Sequence, residues 1–380
     1  MMTRSRIFGA FFVVLALAPT AVRAAEPFRY PEGKCGKAEL KYANGLPVLT
    51  LEGTPEQIGA QTGKLCKEPL KKLTGFSKDF LKALGFGKRW PQLVEVSKSM
   101  VPQFPPDHLK ELEAMVKQPG LDREQAIVGN TFADISKIAS CSALLVEAKR
   151  SATGGPLFGR NLDYPTLGFL QKYSLVTIYR PKGKHAFASI GFPGLVGVLS
   201  GMNDAGLAIA ALEVRASKDG SVKFDPKGVP YTMSYRRILE ECTTIDQAEK
   251  LLRSIKRTTR NNLAVCDKKG VAVFEITPDN IVVRRGEKGL CPCTNHFRTD
   301  KLATSKDCPR YDALCKCQDI EKVDRAALAK LLHAAHQRTT LQTMIFEPTT
   351  LKLHLAIGKC PSSALPMKEL ELGSYFTKAN

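Results

Sequence analysis

The chain lacks the short signatures of the commonest hydrolases and phosphate binders: it contains no GxSxG elbow, no HExxH pair and no phosphate loop. Only six histidines are present. His333 and His336 stand three apart on an expected helix, as metal ligands do, but no third ligand accompanies them and no metal or other cofactor is indicated. Basic residues are nowhere interleaved with aromatics in the way that nucleic-acid surfaces require, so no nucleic-acid partner is expected. There is no internal repeat, no low-complexity tract and no Ser/Gly- or Pro-rich linker, which leaves one large domain or two closely packed layers. Past the first residues no apolar run could span a bilayer, and the one at Ile7–Leu17 falls short of the roughly 18 residues needed.

That first run is preceded by Arg4 and Arg6 and followed by small residues, with Val22 and Ala24 placed for cleavage. This is the pattern of a secretory signal peptide over residues 1–24, and it implies a periplasmic or extracellular protein. The formal charge is +19, of which Arg4, Arg6 and Arg23 carry three. Basic runs at Lys67–Lys72 and Arg253–Arg260 would favour contact with an anionic surface or acidic ligand, although a solvated basic exterior is the plainer and preferred account of them. Eleven cysteines is an odd number, and in an exported chain ten of them could form five bridges. Cys141 would then be the thiol kept free. The CPC and CKC pairs are spaced too closely for zinc, whose paired ligands usually stand two to four residues apart.

Two composition regimes follow one another along the chain. Up to residue 140 it reads as mainly helical after a strand at 47–52: Thr54-Pro55-Glu56 opens a helix expected to run to about Leu73, Pro106-Asp107 opens another, and Asp122 caps a third over 121–138. From Cys141 the pattern turns to short β-branched and aromatic runs separated by turn residues, with a hairpin signal at Asn203-Asp204. Helical stretches at 231–242, 245–256 and 324–336 lie between the strand groups. Two groups of antiparallel strands with helices outside them predict an α+β, four-layer α/β/β/α sandwich.

Cys141 opens a strand directly after a helical segment, and a second strand returns through Gly159-Arg160-Asn161-Leu162-Asp163. Arg160 and Asp163 are therefore expected beside the thiol across a tight hairpin. A guanidinium there favours the thiolate, and a carboxylate could hold an amine. Cys-Ser-Ala followed by TGGPLFGRNLDYP resembles the nucleophile hairpin of the N-terminal-nucleophile hydrolase superfamily that includes choloylglycine hydrolase, penicillin V acylase and acid ceramidase. GTPEQIGAQTGKL and ISKIASCS resemble the pro-region of its isopenicillin N acyltransferase (acyl-coenzyme A:6-aminopenicillanic acid acyltransferase) family, whose members cleave just before the cysteine. GMNDAGLAIAALE, CTNHF, PRYDAL and TMIFEPTTLKLHLAIGK recur in the family's order, so the likeness covers nearly all of residues 45–375.

The resemblance implies a precursor divided at Ser140/Cys141 into a mainly helical pro-segment or α-chain, 25–140, and a β-chain, 141–380. It implies Cys141 as nucleophile, Arg160 as neighbour of the thiolate, Asp163 as partner of the freed α-amine, Asn295 as oxyanion-hole donor and Arg310 as support. Glu213 falls where bile-salt hydrolases have Asn and acid ceramidase has Glu, a departure from the bile-salt pattern. Independently of the likeness, a cysteine at a chain terminus carries its own base, an α-amine of pKa roughly 7.7–8, and requires no histidine. The expected activity is amide hydrolysis or acyl transfer on N-acylated small molecules through a thioester. Two alternatives stay open at this stage: a papain-like enzyme pairing Cys141 with a histidine such as His296, and a non-catalytic, disulfide-stapled binding protein.

Overall fold

The computed structural model describes residues 26–118 and 120–377, so the expected signal peptide lies outside the described residues. Three strands come first, β1 (Gly33–Cys35), β2 (Ala38–Ala43) and β3 (Leu46–Gly53), then six helices: α1 (Pro55–Leu65), α2 (Lys67–Thr74), α3 (Phe76–Ala83), α4 (Trp90–Met100), α5 (Pro106–Val116) and α6 (Arg123–Ser136). The hairpin β4 (Ser140–Val146) and β5 (Leu157–Asp163) follows, then β6 (Leu175–Pro181), β7 (Phe187–Gly191), β8 (Ser200–Asn203) and β9 (Ala208–Glu213). Helices α7 (Tyr231–Glu241) and α8 (Ile245–Ser254) lead into β10 (Asn261–Cys266), β11 (Val271–Ile276), β12 (Ile281–Arg285) and β13 (Leu290–Cys293). The chain closes with α9 (Pro309–Cys315), α10 (Arg325–Ala334), β14 (Thr340–Glu347), β15 (Lys352–Ile357), β16 (Lys368–Glu371) and α11 (Leu372–Phe376).

The start signals act as their chemistry predicts. Thr54 and Gln57 form a reciprocal capping box at α1, and the Asp122 carboxylate accepts the backbone N–H groups of Glu124 and Gln125 at α6. One boundary differs. The helix expected to reach Leu73 breaks at Cys66, because Pro69 has no N–H to offer the Leu65 carbonyl and α2 must start afresh.

The strands form a ten-stranded sheet ordered β1-β2-β3-β6-β7-β8-β9-β10-β11-β12 and a six-stranded sheet ordered β13-β4-β5-β14-β15-β16. Side-chain alternation assembles the layers. Val48, Val176, Ile178, Ala210 and Val273 of the larger sheet meet Ala143, Leu145, Phe158, Met344 and Leu355 of the smaller one in a dry inter-sheet core. Leu49, Leu51, Leu263 and Phe274 point the other way, onto Ile58, Leu112, Ile238 and Leu252 of the helices. Leu144, Val146, Leu157 and Ile345 pack outward on Leu328 and Leu332 of α10. The expected α/β/β/α sandwich is the observed one.

Two expectations are corrected. The larger sheet is not wholly antiparallel: β3 and β6 pair in parallel, which the long crossover through six helices and the β4–β5 hairpin permits. The five disulfides are not formed, since all eleven cysteines are free thiols. Seven are buried in three cores, with Cys141, Cys266, Cys291 and Cys293 all in the inter-sheet one. Cys291 and Cys293, two apart in β13, share one strand face and both enter the inter-sheet layer, while Cys66 sits in the outer core beneath α1 and α2. An odd count therefore does not single out Cys141; its position in the fold does.

Candidate active site

α6 ends in Lys137, whose left-handed backbone (φ 49°) turns the chain through Ile138 and Ala139 into β4. Cys141 is the second residue of that strand and is 1% exposed. In the hairpin Cys141 lies opposite Leu162, Ala143 opposite Arg160, and Ser140 opposite Asp163. Period-two alternation therefore separates the two expected partners of the thiol. Arg160 enters the inter-sheet space with Cys141, whereas Asp163, an odd number of residues away, faces the opposite side.

Arg160 places Nη2 3.5 Å from the Cys141 sulfur and donates from the same nitrogen to the Ala211 carbonyl at 2.8 Å. Its Nε and Nη1 are buried without a hydrogen-bond partner among the described residues. Asp163 accepts from the Thr340 hydroxyl and lies 3.5 Å from Arg310 Nη1. Arg310 is the hub of the far side: it also donates to the Cys141 carbonyl at 2.6 Å and to Asn295 Oδ1 at 2.9 Å. Asn295 Oδ1 accepts the Cys141 N–H at 2.6 Å, and its Nδ2 donates to the Glu213 carbonyl at 2.7 Å. With the Ser140–Cys141 peptide intact, the cysteine nitrogen is an amide donor, so the asparagine expected at an oxyanion is engaged on both sides.

Glu213 closes the group from β9. One carboxylate oxygen accepts the Ala139 N–H at 2.8 Å, and the other lies 3.4 Å from the Tyr231 hydroxyl. The six residues singled out by sequence thus converge on the stretch Ala139–Cys141. Burial dominates their electrostatics. It pushes the Cys141 thiol up to about 11 despite the opposing charges of Arg160 and Arg310, so the guanidinium does not lower the pKa below its ordinary value in the intact chain. Burial likewise raises Asp163 to about 6 and Glu213 to about 7, the latter against the pull of Lys137.

A cavity opens beside the sulfur, with about 910 Å³ of empty space when its open mouth is counted. Cys141, Arg160, Glu213 and Tyr231 line its polar end, and Leu73, Phe76, Phe132, Leu170, Phe192 and Leu199 make most of its remaining wall apolar. Helices α2, α3 and α6, all ahead of Cys141, supply one side. The segment Phe192–Leu195 supplies another, and sequence reasoning missed what holds it. Asn130 of α6 donates to the Gly194 carbonyl at 2.9 Å and accepts the Val196 N–H at 2.7 Å, while Arg236 of α7 donates to the Val196 carbonyl at 2.9 Å. Neither residue belongs to a motif, and no spacing marks them.

His296 does not reach the nucleophile. Its imidazole bonds the side chain of Cys308, whose thiol is also 3.5 Å from Thr294 Oγ1; burial opposes ionisation there, but these hydrogen bonds bring Cys308 down to about 6. No imidazole hydrogen-bonds Cys141 among the described residues, so the papain-like pairing is not formed. His333 and His336 stack at 4.6 Å, with Nδ1 of the first on Ser363 Oγ and Nδ1 of the second on the His333 carbonyl.

Two facing sheets with helices outside them, and Cys141 in the inner hairpin of the smaller sheet, make up the α/β/β/α arrangement around this group. Residues 150–316 match the model of the acyl-coenzyme A:6-aminopenicillanic acid acyl-transferase family, the family that the motifs resemble; the match begins after Cys141 and includes Arg160, Asp163, Glu213, Asn295 and Arg310. A curated relative, an uncharacterized protein of Archaeoglobus fulgidus, is 24% identical over 276 residues, which cover 63% of this chain and 45% of that protein. The chain thus spans less than half the length of that relative. Among solved structures, the Caenorhabditis elegans ortholog of N-acylethanolamine-hydrolyzing acid amidase is similar at 17% identity and a TM-score of 0.43, over 55% of this chain and 93% of that one. A variant of conjugated bile acid hydrolase from Clostridium perfringens is similar at 15% identity and a TM-score of 0.46, over 62% and 93% of the two chains. Penicillin V acylase from Agrobacterium tumefaciens is similar at 13% identity and a TM-score of 0.44, over 57% and 83%.

Proposed function

We propose that the protein is an exported precursor that cuts itself between Ser140 and Cys141 and then acts as a cysteine amidohydrolase or acyltransferase on linear amides of N-acylated small molecules. The observation that carries this reading is the grip on one residue: Asn295 holds the nitrogen of Cys141, Arg310 its carbonyl and Arg160 its sulfur, beside a cavity able to take an acyl group. The apolar wall favours an apolar acyl moiety over a small polar one.

In the proposed cycle water hydrolyses the Ser140–Cys141 peptide: its C–N bond breaks, Ser140 keeps the oxygen as a carboxylate, and the Cys141 amide becomes an α-amine beside its own sulfur. The amine takes the thiol proton, the sulfur attacks the amide carbonyl, and a C–S bond forms while the carbonyl electrons move onto oxygen. Collapse expels the leaving amine, which receives the proton held by the α-ammonium. Water or an acceptor amine then attacks the thioester, its proton passes to the α-amine, and the acyl product leaves with the sulfur restored as thiol. Arg160, with Nε and Nη1 unpartnered in the cavity wall, supports negative charge on sulfur. Asn295 would serve the oxyanion through Nδ2, its only donor, which must then turn from the Glu213 carbonyl.

The test is the intact mass, under reducing conditions, of the purified protein beside its Cys141→Ala variant. Two fragments, one of them beginning at Cys141, should be present in the wild type and absent from the variant. A single uncut wild-type chain overturns the self-cleaving nucleophile.

A further inference from the structure

The sequence carries two basic runs, and the structure separates their fates. Residues 253–260 are spent internally. Arg257 donates to the carbonyls of Thr277, Leu252, Ile255 and Pro278, Arg260 donates to those of Arg215 and Ser221, Arg253 pairs with Glu249, and Lys256 pairs with Asp225. The other run is left facing solvent: Lys64, Lys67, Lys71, Lys72, Lys82 and Lys88 are all exposed on α1, α2, α3 and the turn after them. Only Lys71, to Glu68, and Lys72, to Asp79 at 3.9 Å, have a carboxylate within reach; Lys64, Lys67, Lys82 and Lys88 form no ion pair among the described residues. Across residues 64–98 nine Lys and Arg stand against three Asp and Glu, a net +6 in 35 residues where the whole chain carries +19 in 380. The charge density there is more than three times the average.

We propose that this face, the outer side of α2 and α3 with the flanking Lys64 and Lys88, docks on an anionic lipid bilayer. The lysines are spread over successive helices, with Lys67 and Lys71 one helical turn apart, rather than gathered around a cleft, so they suit an extended array of headgroups and not one small anion. Docking is adsorption. Among the described residues no helix is long and apolar enough to cross a membrane, and the one large hydrophobic side chain exposed there, Val222, lies elsewhere in the chain. The inner side of the same helices lines the cavity through Leu73, Thr74, Phe76 and Ser77, so docking would hold the cavity wall near lipid. Lipid binding itself requires no catalysis by Cys141, and the two readings fail separately.

The experiment is sedimentation of the purified full chain with phosphatidylcholine vesicles, with and without phosphatidylglycerol, over a range of salt. The variants are a quadruple one, Lys67→Glu, Lys71→Glu, Lys82→Glu and Lys88→Glu, and a control of equal charge change, Lys227→Glu, Lys301→Glu, Lys316→Glu and Lys330→Glu. Wild type, control and Cys141→Ala should sediment with the anionic vesicles only, and salt should release them. The quadruple variant should lose at least tenfold in partitioning, since one lysine near an anionic surface is worth about fivefold. Failure of the wild type to sediment with anionic vesicles, salt-insensitive binding, or equal loss in the control overturns the proposal. The salt titration of the wild type stands even if the quadruple variant does not fold.

Discussion

At the scale of single residues the placement of a side chain was legible wherever a motif sets it on its own strand. Cys141 and Arg160 meet because paired strands of one hairpin carry them, whereas Asn295, in the loop after β13, and Arg310, in the first turn of α9, reach Cys141 through hydrogen bonds made across the fold. What the letters do not carry is the sign of the local field. A guanidinium 3.5 Å from sulfur reads as a device for lowering a thiol pKa, yet removing the thiol from water weighs more, and Cys141 is raised instead. Glu213 shows the same effect and gives a test. Its folded pKa, about 7, lies above its ordinary 4.5, so its contribution to stability is complete below that ordinary value and is lost as pH rises through 7. The loss amounts to about 3 kcal/mol at most. Thermal unfolding of an uncut Cys141→Ala background should show stability falling from about pH 5 to about pH 8, with a shallower fall in the added Glu213→Gln variant. An unchanged slope would mean that the Glu213 charge is compensated, with Lys137 the obvious source. His296→Ala should leave both cutting and activity in place; loss of activity with an intact chain would restore the papain-like pairing that the geometry does not support.

At the scale of elements, capping and alternation carried most of the information. Thr54, Asp122 and the strand periodicities gave boundaries close to those observed, and the departure at Cys66 follows from one proline, Pro69, that a periodicity argument passes over. The wall of the cavity was not legible, because it rests on contacts between elements far apart in sequence. Phe192–Leu195 has no regular structure of its own and is fixed by the Asn130 side chain, which satisfies Gly194 and Val196 together. Asn130→Ala should free that segment and leave the Val196 N–H unpaired at a cost of about 1–3 kcal/mol. For substrates with a bulky apolar acyl group KM should rise by about tenfold, which is the loss of about 1.4 kcal/mol of binding, while kcat for a short acyl group and the cut at Cys141 stay near wild type. Equal losses for short and long acyl groups would instead assign Asn130 to the general stability of α6.

At the scale of the whole molecule, the layer order followed from the alternation of strand groups and helices, but the pairing of β3 with β6 and the separation of the cysteines into different cores depend on topology that no local pattern encodes. The same topology decides what becomes of a chain cut before Cys141. The part ahead of the cut supplies three strands of the larger sheet and the helices that wall the cavity, so it must stay bound for the site to exist. Beyond the sheet, a buried ion network ties the two parts. Arg236 of α7 donates to both carboxylate oxygens of Glu111 on α5, at 2.9 and 2.6 Å, and to Glu240 at 2.8 Å; Glu240 in turn meets His108 of α5 at 3.2 Å. Burial works against the charge on Glu240, yet Arg236 and His108 hold its pKa well below the usual carboxylate range. Removing one member of such a network strands the others away from water, which costs roughly 3–5 kcal/mol. Arg236→Met should therefore lower the thermal midpoint sharply and, with the chain cut as proposed, let the two fragments separate on size exclusion under conditions where wild-type fragments co-elute. If the variant fragments still co-elute, the shared sheet and core hold them together, and the network serves α7 and the Val196 carbonyl instead.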